Sequence, residues 1–277
     1  MKNPDSSRVL RRHHATVLGH PDADRSVILS HGLGGDQTVW QQILPLFDTA
    51  TADGWRVVLY DHAGAGRSDP AAFVQHRYLS LSAYADDLIE LCDALQLGAV
   101  VGIGHSMGAM INVLASLRRP ELFSRLVLIG ASPCYREDGD YHGGLTHQAL
   151  NEVYSAMRHD RDRWAGQFAP RTLGPEARPV QVQTFARALA AIPEERLLTV
   201  ACAVFQSDHR ADLGRITHPT LIVQSQDDPL VPQSVADYMH AHIPGSTLAG
   251  IAASGHLPHM TSPAAVRAAI QPFLDGG

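Results

Sequence analysis

The feature that most constrains this chain is an alternation of two patterns. Six short runs rich in β-branched and aliphatic residues stand out: "SVILSHG" (26–32), "WRVVLYD" (55–61), "AVVGIG" (99–104), "RLVLIGA" (125–131), "PTLIVQSQD" (219–227) and "STLAGIA" (246–252). They are nearly continuous in apolar residues, as strands covered on both faces require. Longer stretches lie between them, and helices are predicted at 37–47, 80–97, 106–119, 232–242 and 262–274. In the third of these, Met110, Val113, Leu114 and Leu117 fall at i, i+3, i+4 and i+7, which gives one apolar face. Such alternation folds as a doubly wound, mostly parallel α/β sheet. A chain of 277 residues is ordinary for one such domain carrying an insertion.

The alternation breaks once. From Pro133 to about Phe205 no strand signal occurs, and the stretch is helical, polar and punctuated by Gly143-Gly144, Pro170, Pro175, Pro179 and Pro193. It is expected to form a lid of about four short helices over 133–205, with Gly143-Gly144 as a hinge. The core is then 1–132 and 206–277. The lid sits above the C-terminal edge of the sheet, where ligands of open α/β sheets bind.

Composition removes several chemistries. The formal charge is −6 and no basic run exists, so nucleic acid and an anionic membrane surface are not expected partners. Lys2 is the only lysine and lies in a polar N-terminal tail, so no Schiff-base lysine, P-loop lysine or Ser-Lys dyad is expected. Cys92, Cys134 and Cys202 are odd in number and far apart, which fits a reducing cytoplasm rather than a disulfide framework. The N-terminal stretch lacks the apolar core of a signal peptide. Residues 94–117 carry no charge and are long enough to span a bilayer. Gly98, Gly102, Gly104, His105, Ser106, Gly108 and Asn112 within them favour a buried strand, a tight turn and a packed helix.

That turn holds G-x-S-x-G as Gly104-His105-Ser106-Met107-Gly108. Alone, the pattern recurs by chance in roughly one chain in ten of this length. Between a buried strand and an apolar-faced helix it reads as a nucleophile elbow, with Ser106 Oγ exposed at a sharp turn. Gly104 and Gly108 are expected there because side chains would clash where strand and helix pack. A nucleophilic serine needs a base, and the base needs an orienting acid; on this scaffold the order is Ser, acid, His. "QSQDDPLVP" offers Asp227 and Asp228, and "SGHLPHM" offers His256 and His259. Pro229 biases its predecessor towards an extended backbone, which favours Asp228. Gly255 lets its loop carry the neighbouring His256 over the sheet edge. The N–H groups of Met107 and Leu33, the latter from "SHGLGGDQ", are the expected oxyanion donors. His31 is expected to be structural. Two rivals fit less well. His256-x-x-His259 with Asp228 lacks a further ligand cluster for a metal. Gly102-x-Gly104-x-x-x-Gly108 places its last glycine one position late for a dinucleotide loop, so no cofactor is expected.

Together these stretches resemble the α/β-hydrolase superfamily, and within it the RsbQ-like group of bacterial sigma-B stress regulators and plant strigolactone and karrikin receptors. The resemblance is carried by "HGLGGDQTVW" (31–40), "YDHAGAGRSD" (60–69), "GHSMGAMI" (104–111), "ASPCYREDGDYHGGL" (131–145), "WAGQFAP" (164–170), "FQSDHRADL" (205–213) and "GHLPHMTSP" (255–263). It implies a V-shaped four-helix lid over an apolar pocket with Ser106 at its floor. It further implies that Trp164, Phe168, Phe205 and Tyr135 line the pocket, with Leu33, Met107 and Leu230 at floor and wall. The group usually carries Phe where this chain has Leu33, which should widen the pocket beside the oxyanion donors. Arg-rich, Lys-poor usage points to a bacterial source. The expected function is a cytoplasmic serine hydrolase of small apolar carboxylic esters or lactones. The alternative is a ligand sensor that keeps slow hydrolysis and acts through a signalling protein docked on the lid.

Overall fold

The computed structural model describes residues 4–20, 22–51 and 53–276; Lys2 lies outside them. Among the described residues seven strands form one sheet: β1 (Thr16–Leu18), β2 (Arg25–Ser30), β3 (Trp55–Leu59), β4 (Val100–His105), β5 (Phe123–Ile129), β6 (Thr220–Asp227) and β7 (Thr247–Ser254). Their order is β1-β3-β2-β4-β5-β6-β7, and all neighbours are parallel except β1 with β3. Side chains alternate between two buried layers, as a strand's two-residue period dictates. Leu126 and Leu128 of β5 enter one layer, while Val127 and Ile129 enter the other. The first layer holds α2 (Leu81–Ala94), α3 (Met107–Arg118) and α8 (Gln233–His242). The second holds α10 (Pro263–Asp275) and the 37–47 segment.

Four helices are inserted between β5 and β6: α4 (His147–His159), α5 (Arg161–Leu173), α6 (Pro179–Ala191) and α7 (Glu194–Phe205). Their apolar faces, through Leu150, Trp164, Leu189 and Leu197, join the same core layer as α2 and α3. The insertion is therefore packed onto the sheet domain and not tethered to it. The segment before α4 is held by isolated bridges, Cys134 to Asp208 and Arg136 to Leu145. Gly143 and Gly144 belong to this tight turn. A Cβ on Gly143 would sit 2.4 Å from the Arg136 carbonyl oxygen, and Gly144 has φ +98°.

Three expectations are corrected. The 37–47 stretch is not one helix but two short 3₁₀ turns, Gln37–Trp40 and Leu44–Leu46. Pro45 opens the second turn, and its missing N–H and its ring bar a continuous α-helix through it. The polar tail forms a helix, α1 (Pro4–Arg12), with Val9 buried at 8% exposure. The edge strand β1 is three residues long, too short to show a period.

Candidate active site

The sharp turn after β4 places Ser106 at φ +53°, ψ −119°, as the residue before α3. An L-residue held there carries strain of roughly 1–3 kcal/mol and needs surroundings that over-determine it. Those surroundings are present. Ser106 N–H donates to the Ile129 carbonyl at 2.8 Å. A Cβ on Gly104 would lie 2.4 Å from Ala109 Cα, and one on Gly108 would lie 2.1 Å from the Ser30 carbonyl oxygen. Only glycine lets β4, the turn and α3 approach this closely.

The acid and the imidazole come from the ends of β6 and β7. His256 Nδ1 donates to Asp228 Oδ2 at 2.8 Å, and both side chains are almost wholly buried. Asp228 Oδ1 accepts from the N–H groups of Leu230 and Val231 at 2.9 and 3.0 Å. Three donors thus fix the carboxylate. The Asp227 side chain is exposed and, among the described residues, its carboxylate accepts only from Ser254 Oγ at 3.3 Å. The two loops are tied together, since Gly255 N–H donates to the Asp227 carbonyl at 2.8 Å. His256 N–H donates to the Thr172 carbonyl at 2.6 Å, which anchors the imidazole loop to α5. Gly130, at φ +54°, closes β5, and a Cβ there would meet His256 and Asp228 at 3.3–3.4 Å.

Ser106, Tyr135, Phe168, Phe205, Leu230, Leu33 and His256 surround one cavity with about 350 Å³ of empty space between the sheet edge and the inserted helices. Two details differ from expectation. Ser106 Oγ hydrogen-bonds Tyr135 Oη at 3.1 Å, and no bond joins it to His256 among the described residues. Tyr135 is held for this by burial and by an edge-on contact with Phe205 at 5.3 Å, and burial pushes its phenol up to about 12. Trp164 does not face the cavity; it stacks behind Phe168 at 4.9 Å. Thr172, Phe185, Val204 and Leu257 face it instead. Thr172 is legible in hindsight, one helical turn from Phe168 on the same face of α5. Phe185 carries no sequence signal, because its approach depends on how α6 packs.

The N–H groups of Leu33 and Met107 make no hydrogen bond among the described residues, so both remain available as donors. Both residues also line a second cavity, and Leu33 lines the first as well. Behind Ser106 lies a layer of neutral histidines. His105 Nε2 donates to the His256 carbonyl at 2.7 Å, and its ring packs on those of His256 and His259. Burial drives His105 well below its ordinary value and His259 down to about 3. His259 packs between Trp40 and His105 and makes no hydrogen bond with Asp228. His31 Nδ1 donates to the Gly32 carbonyl at 2.9 Å and Nε2 accepts from His62 N–H at 3.1 Å, so its bonds shape the loop. Among the described residues no group of three or more His, Cys, Asp or Glu could hold a metal. No described helix is long and apolar enough to cross a membrane.

Residues 25–263 match the alpha/beta hydrolase fold family. The strigolactone esterase of Arabidopsis thaliana is 42% identical over 257 residues, covering 92% of this chain and 94% of its own. Karrikin insensitive 2 receptor CA of Petunia hybrida is 38% identical and covers 91% of each chain. The solved structure of a hydrolase from Oleispira antarctica superposes with a TM-score of 0.89 at 33% identity, covering 98% of this chain and 96% of that one.

Proposed function

Because the chain belongs to the α/β-hydrolase fold family, within the group of strigolactone and karrikin receptor-like hydrolases, we propose that it is a serine hydrolase of small carboxylic esters or lactones. The observation that carries this reading is a His256 ring that is bonded to buried Asp228 and lines the same cavity as a serine at positive φ. The Ser106 hydroxyl turns from Tyr135 towards His256 Nε2, which takes its proton as Oγ attacks the ester carbonyl. Asp228 holds the Nδ1–H tautomer and stabilises the imidazolium. The Leu33 and Met107 N–H groups receive the charge that develops on the carbonyl oxygen. His256 then protonates the leaving oxygen. Water, activated by the same imidazole, cleaves the acyl-enzyme and releases the acid.

The inserted helices act as the lid that excludes bulk water, with Phe168 and Phe205 as its apolar lining. Three free cysteines support a cytoplasmic setting. A second reading has one observation behind it: relatives named as receptors match nearly the whole chain. In that reading hydrolysis is slow and the lid's outer face docks a signalling protein.

Pre-steady-state hydrolysis of p-nitrophenyl acetate, run beside Ser106→Ala, separates the readings. Sustained turnover above about one per second, lost in the variant, is expected of a metabolic enzyme. A stoichiometric burst followed by near-arrest favours the sensor. Absence of any Ser106-dependent product release overturns the hydrolase reading.

A further inference from the structure

The second cavity shares one wall residue, Leu33, with the cavity that holds Ser106. Leu33 and Met107 face it, so it opens beside the two N–H groups assigned above to the oxyanion. Its other walls come from the turn after β3 and from α2 and α7, which supply His62, Tyr84 and Arg196. Two of its polar groups have unused bonding capacity. Tyr84 is 1% exposed, and its hydroxyl has no hydrogen-bond partner among the described residues. A buried hydroxyl in that condition is destabilising unless something meets it. Arg196 has no carboxylate within salt-bridge distance among the described residues. Its guanidinium sits 5.1 Å over the Phe73 ring and makes one long contact, 3.4 Å, to the Gly64 carbonyl oxygen. His62 spends Nε2 on the His31 carbonyl at 2.9 Å, and burial keeps the ring neutral.

A fixed cation without a counter-ion beside an unpaired phenolic donor is the complement of a carboxylate, which accepts from both. We propose that this second cavity is a subsite for a carboxylate at the far end of the substrate, held by Arg196 and Tyr84 Oη while the scissile carbonyl sits at Ser106. The substrate class then narrows to small esters or lactones whose acyl portion ends in a carboxylate. Leu33 lines both spaces, so a substrate that reaches from Arg196 to Ser106 passes beside it. The inference rests on the ester-hydrolase reading for its chemistry but not for its binding.

The test compares p-nitrophenyl pentanoate with p-nitrophenyl hydrogen glutarate, which share a five-carbon acyl chain, and extends to the four- and six-carbon pairs. At the best length kcat/KM is expected to favour the carboxylate ester at least tenfold. Arg196→Met is expected to remove most of that preference through KM, Arg196→Lys to restore part of it, and Tyr84→Phe to reduce it several-fold. Equal rates within every pair, or a preference that neither Arg196→Met nor Tyr84→Phe moves, overturns the subsite while leaving the hydrolase reading standing. Calorimetric titration of Ser106→Ala with monomethyl glutarate and methyl pentanoate tests the subsite without any turnover. At least tenfold tighter binding of the glutarate, lost on adding Arg196→Met, is expected; equal binding overturns the proposal. Tyr84→Phe itself should fold and melt no lower than the parent, since the hydroxyl it removes has no partner among the described residues.

Discussion

At the scale of single residues, the site depends on atoms that are missing as much as on atoms present. Gly130 is an example: its φ of +54° strains any L side chain, and a methyl group there would press on His256 at 3.3 Å. Gly130→Ala is expected to lower turnover while most of the fold's stability remains, because the clash falls on the His256–Asp228 pair and not on the core. Circular dichroism melting beside an esterase assay reads the two effects separately. Asp228→Asn keeps the shape of the carboxylate but presents an amide where His256 Nδ1–H needs an acceptor. A fall in kcat of about 10³–10⁴-fold is expected, with little change in melting temperature. A loss below tenfold would mean that Asp228 does not orient the imidazole.

At the scale of elements, two buried carboxylates outside the site hold the loops in place. Asp61 Oδ1 accepts from Gln37 N–H and Oδ2 from Arg67 N–H, both at 2.8 Å, which locks the Leu33 loop to the turn after β3. Asp87 on α2 is 2% exposed, accepts from Tyr78 Oη at 2.7 Å and pairs with Arg77 at 2.5 Å and Arg12 at 3.2 Å. It joins α1, α2 and the 70–78 loop. Both arginines reach solvent, so losing them as partners leaves no stranded buried cation. The penalty for Asp87→Ala therefore falls on the orphaned Tyr78 hydroxyl, roughly 1–3 kcal/mol. Urea unfolding checks it, and Tyr78→Phe in the same background should recover part of the loss.

At the scale of the whole molecule, five buried histidines set a pH dependence of stability. Burial lowers His13, His31, His62 and His105, and takes His259 down to about 3. Below about pH 6.5 the unfolded chain binds protons that these folded rings refuse. The unfolded state then holds more protons, so stability falls as pH falls, by up to about 1.4 kcal/mol per pH unit for each ring. Unfolding in urea at pH 7.5 and 5.5 should differ by several kcal/mol. A flat profile would mean that the rings protonate in the folded state.

The amino-acid sequence by itself determined the sheet and the order of its catalytic candidates, because both are local. Six strands announce themselves as apolar runs, and the elbow is written in the glycines flanking Ser106. The ordering of Asp228 before His256 follows from where strands end. Proximity was decided only by tertiary structure. That Asp228 and not Asp227 meets His256 follows from three donors that converge on its carboxylate from two loops. Trp164 and Phe185 exchange places at the cavity because helix packing, not composition, selects which face of α5 and α6 meets the sheet edge. Tyr84 of α2 and Arg196 of α7 line one cavity although they stand 112 positions apart in the chain. No period or motif links residues so far apart; only the closing of the inserted helices onto the sheet brings their side chains to one space.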